Sequence, residues 1–274
     1  MIFADSVLIS LLIGAGMFGA ISYIPLFLQG VVGTSATNSG AVLTPMMLTA
    51  IVGSVLSGQL MSRWGHYRAI AVSGLLVMIG GMALLTHLTV DSGQSAVITG
   101  MVVLGFGLGF GLSLYTIVVQ NAFSRDRLGQ VTSGLTFFRS IGGTIGVAIM
   151  GSFLTGHFSG ALAANLPDPV KARIPAQVLG QFSNPQVLLS TQGQQILHTT
   201  FAHLPNGAKL IGPFLDALRY TLAGSLHDVF VVGLVIAILG TVAAIFLKEI
   251  PLRGTEAESP RSSSGEADID GLVA

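Results

Sequence analysis

Long stretches of the chain contain no Asp, Glu, Lys or Arg. The uncharged runs cover residues 6–62, 69–90, 92–124, 140–167, 174–208 and 229–247. A helix needs about 20 mostly apolar residues to cross a hydrocarbon core of roughly 30 Å, so the first run holds two spans, separated by the polar, turn-like stretch 30–40. The pattern predicts six spans at about residues 6–28, 40–61, 69–87, 95–119, 134–156 and 226–247.

The run 174–208 is uncharged but does not have the character of a span. It contains three prolines and several glutamines, and broken helices with unsatisfied amides are costly in lipid. We therefore predict spans one to five within residues 1–156, an extracytoplasmic insertion at 157–225, and the sixth span within 226–253.

Two further segments follow from the pattern around the sixth span. Between Gly207 and Leu226, large apolar residues recur at helical spacing with charged residues between them. This periodicity predicts an amphipathic helix at the outer membrane surface that leads into the sixth span. Residues 254–274 hold four serines and five acids but almost no large apolar side chain, which predicts a disordered cytoplasmic tail.

Composition agrees with a membrane protein and removes several functional classes. Of the 274 residues, 51% are hydrophobic and 9% are charged, whereas a soluble domain averages roughly 25% charge. Twelve basic and twelve acidic residues cancel, so bulk charge gives no argument for a nucleic-acid partner. The absence of cysteine excludes disulfides and thiolate metal sites, and the histidines lack metal-ligand spacing, so neither a metal nor a bound cofactor is expected.

Basic residues lie in only some of the short loops. The predicted loops 62–68 and 120–133 each contain two arginines, and further basic residues follow the sixth span, whereas loops 29–39 and 88–94 contain none. Positive loops face the cytoplasm, so both termini are predicted to be cytoplasmic and the insertion to lie outside. The four basic residues of the insertion do not oppose this, because long loops cross largely regardless of charge.

Glycine-rich helix faces occur in three of the predicted spans. Residues 14–19 match the letters of a G-x-G-x-x-G dinucleotide motif, but they lie inside a span and no acid follows before Asp91, which argues against nucleotide binding. Small residues instead allow close helix contact. Four glycines of spans four and five serve packing alone or also helix rocking during transport: Gly105, Gly109, Gly142 and Gly146.

A short basic loop joins spans two and three. Gly58 allows close helix contact, Gly65 makes the turn, and Arg63 and Arg68 can bond helix C-terminal carbonyls or lipid phosphates. The loop resembles the G-x-x-x-D-R-x-G-x-x-[RK] loop of the major facilitator superfamily, which implies a cytoplasmic gating loop. Ser62 stands where that family has an acid.

Other segments resemble the C-terminal half of fourteen-span drug:proton antiporters of the EmrB/QacA type. They are YIPLFLQ at residues 23–29, FFRSIGGTIGVA at 137–148 and KEIPLR at 248–253. The resemblance covers residues 1–253. It implies export of hydrophobic compounds by proton antiport and alternating access, with the proton gradient across a bacterial cytoplasmic membrane as the energy source.

The resemblance also implies that this chain corresponds to roughly the last six of fourteen spans. A half-transporter or a fragment is therefore expected, with the N-terminal half as its partner, in the same polypeptide or as a separate chain. In this family the proton-coupling acid and its arginine partner usually lie in that N-terminal half. The chain agrees with this, because each of its acids lies in a loop, a terminus or a helix end.

Candidate contacts to substrate or to the other half are aromatic, thioether and uncharged polar groups, which adapt to varied hydrophobic compounds but equally fit helix packing. Arg139 is the one charge inside a span, about 7.5 Å deep at 1.5 Å per residue. It either snorkels to the cytoplasmic interface or faces the interior, pairing across the half-interface or touching substrate. The predicted set is Tyr23, Phe27, Gln29, Met46, Tyr115, Gln120 and Arg139.

Two other classes of function stay open from the sequence. A membrane-embedded enzyme is opposed by the absence of H-E-x-x-H, of G-x-S-G and of paired intramembrane acids. A non-transporting membrane subunit would bind a partner through the insertion or the acidic tail. We predict an all-helical, six-span membrane bundle that is not an enzyme and moves no drug by itself, with membrane lipid, hydrophobic small molecules and the other half as partners.

Overall fold

The computed structural model describes residues 2–64, 67–171, 180, 185, 195–197, 199, 201–202 and 207–246. Every regular element within these ranges is helical, and no strand occurs in them. Six helices are long and apolar enough to cross a membrane. The predicted all-helical, six-span architecture is therefore confirmed.

The described helices are α1 (Ile2–Phe27), α2 (Ala36–Ala41), α3 (Leu43–Trp64), α4 (Tyr67–Thr86), α5 (Gln94–Ala122), α6 (Leu128–Asn165), α7 (Asp168–Lys171) and α8 (Gly207–Ile245). From α1 to α7 the helices follow one another with short connections, and residues 172–206 separate α7 from α8. A π-helical turn, Leu28–Val32, extends α1, and a 3₁₀ turn, Arg125–Arg127, precedes α6. Spans one to six correspond to α1, α3, α4, α5, α6 and α8.

The polar stretch after α1 forms the turn that separates the first two spans. Gly33 has a φ of 79° and its N–H bonds back to the Leu28 carbonyl oxygen, a left-handed geometry that glycine adopts at little cost. Ser35 then caps α2, because its Oγ accepts a hydrogen bond from the Asn38 N–H at 3.3 Å. Local chemistry thus ends one span and starts the next.

The long helices share one apolar core. α5 lies against α3 and α4, α1 lies against α6, and α8 fills the space between α1, α4 and α6. The largest fully buried side chains include Phe27, Met78, Met82, Phe158 and Phe230. Only 22% of the residues in the most apolar window of α3, and 28% in that of α6, are buried inside the bundle, so these two helices present the largest open faces.

Glycine allows the closest helix contacts of the bundle. At each of the four glycines singled out from the sequence, an added Cβ would overlap the backbone of a neighbouring helix. The overlaps are Gly105 with Met46, Gly109 with Ala50, Gly142 with Leu11, and Gly146 with Ala15. The backbones of α5 and α3, and those of α6 and α1, therefore lie in direct contact.

Helices α6 and α8 run well beyond the predicted spans. α6 continues nine residues past position 156, and α8 begins nineteen residues before position 226. With 39 residues, α8 is about 58 Å long at 1.5 Å per residue, roughly twice the thickness of a hydrocarbon core. The segment predicted as an amphipathic helix leading into the sixth span is the first part of the helix that forms that span.

The apolar face of that segment is buried against protein. It shares the core with the end of α6, and the buried side chains include Leu210, Phe214, Leu218, Leu222, Phe158 and Leu162. Asn165 Nδ2 of α6 also donates to Thr221 Oγ1 of α8 at 3.2 Å. The tail 254–274 and most of residues 172–206 lie outside the described residues.

Candidate functional site

The basic loop between α3 and α4 bonds the end of α8. Arg68 donates through Nη2 to the Ile245 carbonyl oxygen in the last turn of α8, where a cation also meets the negative end of the helix dipole. Arg63 is exposed. An added Cβ at Gly58 would meet nothing within 4 Å, which differs from the expected close helix contact. Gly65 lies outside the described residues.

Three of the predicted cavity residues lie inside the packed core. Tyr23, Phe27 and Met46 are buried, and the Tyr23 hydroxyl donates to the Val147 carbonyl oxygen at 2.8 Å, which joins α1 to α6. Neighbouring helices cover these side chains completely. In this structure they pack helix against helix instead of lining an open cavity.

The two predicted glutamines lie apart from this core and from each other. Gln29 is half-buried and its Nε2 donates to Ser39 Oγ at 2.7 Å, which ties the π-helical turn to α2. Gln120 is exposed near the C-terminal end of α5. The structure therefore brings neither of them to a site shared with the other predicted residues.

Replacing Tyr23 by phenylalanine is expected to lower the stability of the bundle modestly. The change removes the hydroxyl that bonds Val147 and keeps the ring, and such interhelical bonds are worth about 0.6 to 1.7 kcal/mol in membrane proteins. Thermal unfolding of the purified protein, followed by circular dichroism, measures the loss. Tyr220→Phe, at an exposed ring, is the control. An unchanged midpoint for Tyr23→Phe would show that the bond contributes nothing.

A small polar cavity lies between α1, α5 and α6. Its volume is about 40 Å³, enough for at least one water molecule at about 30 Å³ each. Five hydroxyl-bearing side chains, one arginine and three apolar residues line it. The polar lining consists of Ser10, Tyr115, Thr116, Thr132, Thr136 and Arg139.

The polar groups of Tyr115 and Arg139 in this cavity lack a partner in the described part of the chain. The Tyr115 side chain is 2% exposed, yet its hydroxyl makes no hydrogen bond. The Arg139 guanidinium forms neither an ion pair nor a hydrogen bond with a described residue. Buried polar groups are normally satisfied, and the guanidinium fork matches carboxylate and phosphate geometry. The cavity therefore has the chemistry to hold an anionic group.

Within the predicted set, Tyr115 and Arg139 are the pair that the structure brings to one site. Arg139 lines the cavity, which corresponds to the interior-facing alternative for this residue. Sequence reasoning missed Thr132 and Thr136, although they precede Arg139 by seven and three residues. That spacing places all three on one helix face, so a search for hydroxyls around the lone charge would have found them.

The open face of α6 carries a hydroxyl in most turns. The side chains are exposed, and each donates to a carbonyl oxygen of its own helix. They are Ser133, Thr136, Ser140, Thr144, Ser152 and Thr155. The face also exposes large apolar side chains such as Phe137 and Ile145, whereas the open face of α3 is mostly large apolar residues such as Ile51 and Val55, which suit lipid tails. Because hydroxyls are typical of surfaces where helices meet, α6 offers the better surface for further helices.

A protein family matches more than half of the chain. The family described as Major Facilitator Superfamily matches residues 1–147. The chain belongs to this superfamily. It is a family of transporters, so the predictions of a multi-pass membrane protein from this superfamily and of a non-enzymatic function are confirmed, and the alternative of a membrane-embedded enzyme is set aside.

Curated relatives include bacterial drug-resistance proteins. The multidrug transporter protein MdtP of Bacillus subtilis is 36% identical over 265 residues, which cover 95% of this chain and 48% of MdtP. A tetracycline resistance determinant of Streptomyces rimosus is 29% identical, covering 92% of this chain and 74% of that protein. The chain thus spans about half the length of MdtP.

A solved structure shares the fold. The crystal structure of a bacterial homologue of the human lysosomal transporter Spinster, in an inward-facing and occupied conformation, superposes with a TM-score of 0.57. The alignment covers 91% of this chain and 50% of that one, at 19% sequence identity. The arrangement of the six long helices is therefore that of part of a known transporter.

Proposed function

We propose that this chain supplies one six-span half of a multidrug exporter, corresponding to the C-terminal half of a fourteen-span drug:proton antiporter of the EmrB/QacA type. Relatives described as multidrug transporter and multidrug resistance proteins support hydrophobic compounds as the substrate class. Coverage of 48% of MdtP supports a second half of comparable size, in the same polypeptide or as a separate chain. The two halves rock about a central cavity, which gives alternating access.

This proposal rests on the placement of Arg139. An arginine inside a span costs at least about 2.5 kcal/mol, yet Arg139 has no counter-charge among the described residues and lies beside the hydroxyl-bearing face of α6. Asp5 lies in the first turn of α1, and Asp228 lies about midway along α8, which differs from its predicted place at a helix end, and neither of them lines this cavity. We infer that a carboxylate of the other half enters the cavity and pairs with Arg139, and that proton coupling belongs to that half.

We further infer a bacterial cytoplasmic membrane as the location, with both termini in the cytoplasm. Arg63, Arg68 and the turn Arg125–Arg127 lie at the end of the bundle where α1 begins, and positive loops face the cytoplasm. The proton gradient is the proposed energy source. The proposed partners are membrane lipid, hydrophobic small molecules and the other half, with no metal, bound cofactor or nucleic acid.

A chimera tests the proposed function. This chain replaces the segment of Bacillus subtilis MdtP that it matches, and accumulation of a compound that MdtP exports is measured in efflux-deficient cells. We expect the chimera to export the compound, because the two segments are identical at 36% of their aligned positions. We expect no export from this chain expressed alone, because we infer that the other half carries the carboxylate that couples export to protons.

The controls separate failure of assembly from failure of function. Membrane levels of the chimera and of intact MdtP are compared by immunoblot of a C-terminal tag. A chimera that reaches the membrane at the level of MdtP but exports nothing would contradict the proposal, as would export by this chain alone. An ionophore that dissipates the proton gradient should stop export, and continued export would argue against proton antiport.

A further inference from the structure

The polar cavity between α1, α5 and α6 has a lining with one positive charge and no negative charge. Arg139 is the charged member of the lining, and the other residues carry hydroxyl groups or are apolar. A guanidinium stays protonated in proteins, donates hydrogen bonds and accepts none. The electrostatics of the lining therefore favour an anion over a cation or a neutral molecule.

A close contact between two helix backbones fixes the position of Arg139. An added Cβ at Gly14 of α1 would overlap the Arg139 carbonyl oxygen and would lie 3.0 Å from Arg139 Cγ. Three residues further along α6, Gly142 lies directly against the backbone of Leu11. The first carbons of the Arg139 side chain are thus held against α1, which carries Ser10 of the cavity lining.

Three donor groups of the lining are both unpaired and accessible. The Arg139 guanidinium and the hydroxyls of Ser10 and Thr132 make no hydrogen bond with a described residue, and their atoms are not covered by protein. The hydroxyls of Thr116 and Thr136 instead donate to carbonyl oxygens of their own helices, at 2.8 and 3.0 Å. An anion in the cavity therefore finds donors from both α1 and α6.

No described acid supplies the missing negative charge. The ion pair found among the described residues joins His157 and Asp228, which do not line this cavity. Asp5 lies on α1, five residues before Ser10, and is also absent from the lining. A charge inside a span without compensation costs at least about 2.5 kcal/mol, so an anion beside Arg139 stabilises the folded chain.

The volume of the cavity limits the size of its occupant. At about 40 Å³, the cavity exceeds the roughly 30 Å³ that one water molecule takes in the liquid. Sites for drug-sized molecules have about 300 Å³ or more, so an exported compound does not fit. A single halide ion is only slightly larger than a water molecule and does fit.

We propose that this cavity binds one small monovalent inorganic anion such as chloride. The ion pairs with Arg139 and accepts hydrogen bonds from Ser10 and Thr132, since bonds to a charged partner are the strong ones. The inference goes beyond the proposed function, because the ion binds this chain alone and needs neither export nor the other half. In an assembled exporter, the ion and the carboxylate proposed above would exclude each other.

Thermal unfolding of the purified full chain in detergent tests the inference, with sodium gluconate replaced stepwise by sodium chloride at constant ionic strength. Raising chloride from 0 to about 100 mM should raise the unfolding midpoint by about 3 °C, because an ion that binds the folded state stabilises it. Bromide should act as chloride does. Sulfate, which is too large for the cavity, should affect wild type and Arg139→Gln equally.

Matched variants assign the effect to the cavity. Arg139→Gln should abolish the chloride-dependent rise, whereas Arg219→Gln, at an exposed arginine of α8, should retain it. Thr132→Val removes an unpaired hydroxyl and should weaken chloride affinity about tenfold. Thr144→Val, at an exposed hydroxyl that bonds its own helix, should leave the affinity unchanged. The rise is measured within each variant, and the stabilities of the variants are compared in gluconate.

Chloride NMR provides an independent readout, because exchange with a protein site broadens the signal of the bulk ion. The wild-type chain should broaden this signal, and Arg139→Gln should lose the excess broadening. A wild-type midpoint that does not respond to chloride, an equal rise in wild type and Arg139→Gln, or broadening that Arg139→Gln retains would each overturn the inference. None of these measurements involves export, so the proposed function and this inference can fail separately.

Discussion

Replacing Gly109 by alanine is expected to destabilise the bundle strongly. The added Cβ would overlap the Ala50 carbonyl oxygen of α3. The overlap cannot be relieved by side-chain rotation, because the carbonyl oxygen belongs to the backbone of α3 and the Cβ is bonded directly to the backbone of α5. α3 and α5 must separate, which costs about 3 kcal/mol, at the upper end for overpacked sites. Thermal unfolding of the purified protein in detergent, followed by circular dichroism, should show a midpoint lowered by several degrees.

Gly111 provides the matched control on the same helix. There the nearest atom to an added Cβ is Ile13 Cδ1 at 3.4 Å, an ordinary contact with the flexible end of a side chain. Alanine is also favoured over glycine in a helix by roughly 1 kcal/mol, so Gly111→Ala should be neutral or slightly stabilising. Equal losses in the two variants would mean that direct backbone contact is not what holds α5 against α3.

Replacing Arg139 by glutamine is expected to abolish export by the MdtP chimera while the protein stays folded. The change removes the positive charge that we propose pairs with the other half. In this bundle alone it should preserve or raise the unfolding midpoint, because a charge without a described partner no longer has to be placed inside a span. Compound accumulation in cells and thermal unfolding of the purified chain measure the two effects.

Two variants separate the charge of Arg139 from its shape. Arg139→Lys keeps the charge but loses the planar fork, so we expect partial export. Arg219→Gln removes an exposed arginine of α8, outside the predicted sixth span, and should leave export unchanged. Full export by the Arg139→Gln chimera would show that Arg139 has no role at the half-interface. A large drop in the unfolding midpoint of Arg139→Gln would show that Arg139 instead stabilises the fold of this bundle.

The number and order of the spans could be predicted from the lengths of the apolar runs in the sequence. The predicted third span, 69–87, differs from α4 by only one or two residues at each end, because its borders combine charge with turn-forming residues. The lengths of the apolar runs did not predict where α6 ends and where α8 begins. Hydropathy marks only the edge of an apolar run, whereas a helix can continue past that edge when a neighbouring helix buries one of its faces. Phe158 and Phe214 belong to the shared buried core beyond that edge.

The residues of the candidate site also fall into one that the sequence identified and others whose roles needed the structure. Arg139 stood out because a charge inside an apolar run is rare, and its place on a span needed no structure. Tyr23 and Tyr115 could not be told apart in the sequence, since both are tyrosines within apolar helices. Only packing shows that the Tyr23 hydroxyl bonds a backbone carbonyl whereas the Tyr115 hydroxyl faces a cavity without a partner.

By itself, the sequence determined that the described part of this chain holds six helices long and apolar enough to cross a membrane, where the charges of the chain concentrate, and which residue types could serve transport. The bilayer sets these properties through length and hydropathy, which are local quantities of the chain. The tertiary structure alone decided which glycines bring backbones together, which polar groups are left without partners, and that α1, α5 and α6 enclose a polar cavity beside Arg139. These three features depend on how helices that are far apart in the chain are rotated and shifted relative to one another. A periodic sequence pattern shows which face of a helix is apolar but does not specify which helix will pack against that face.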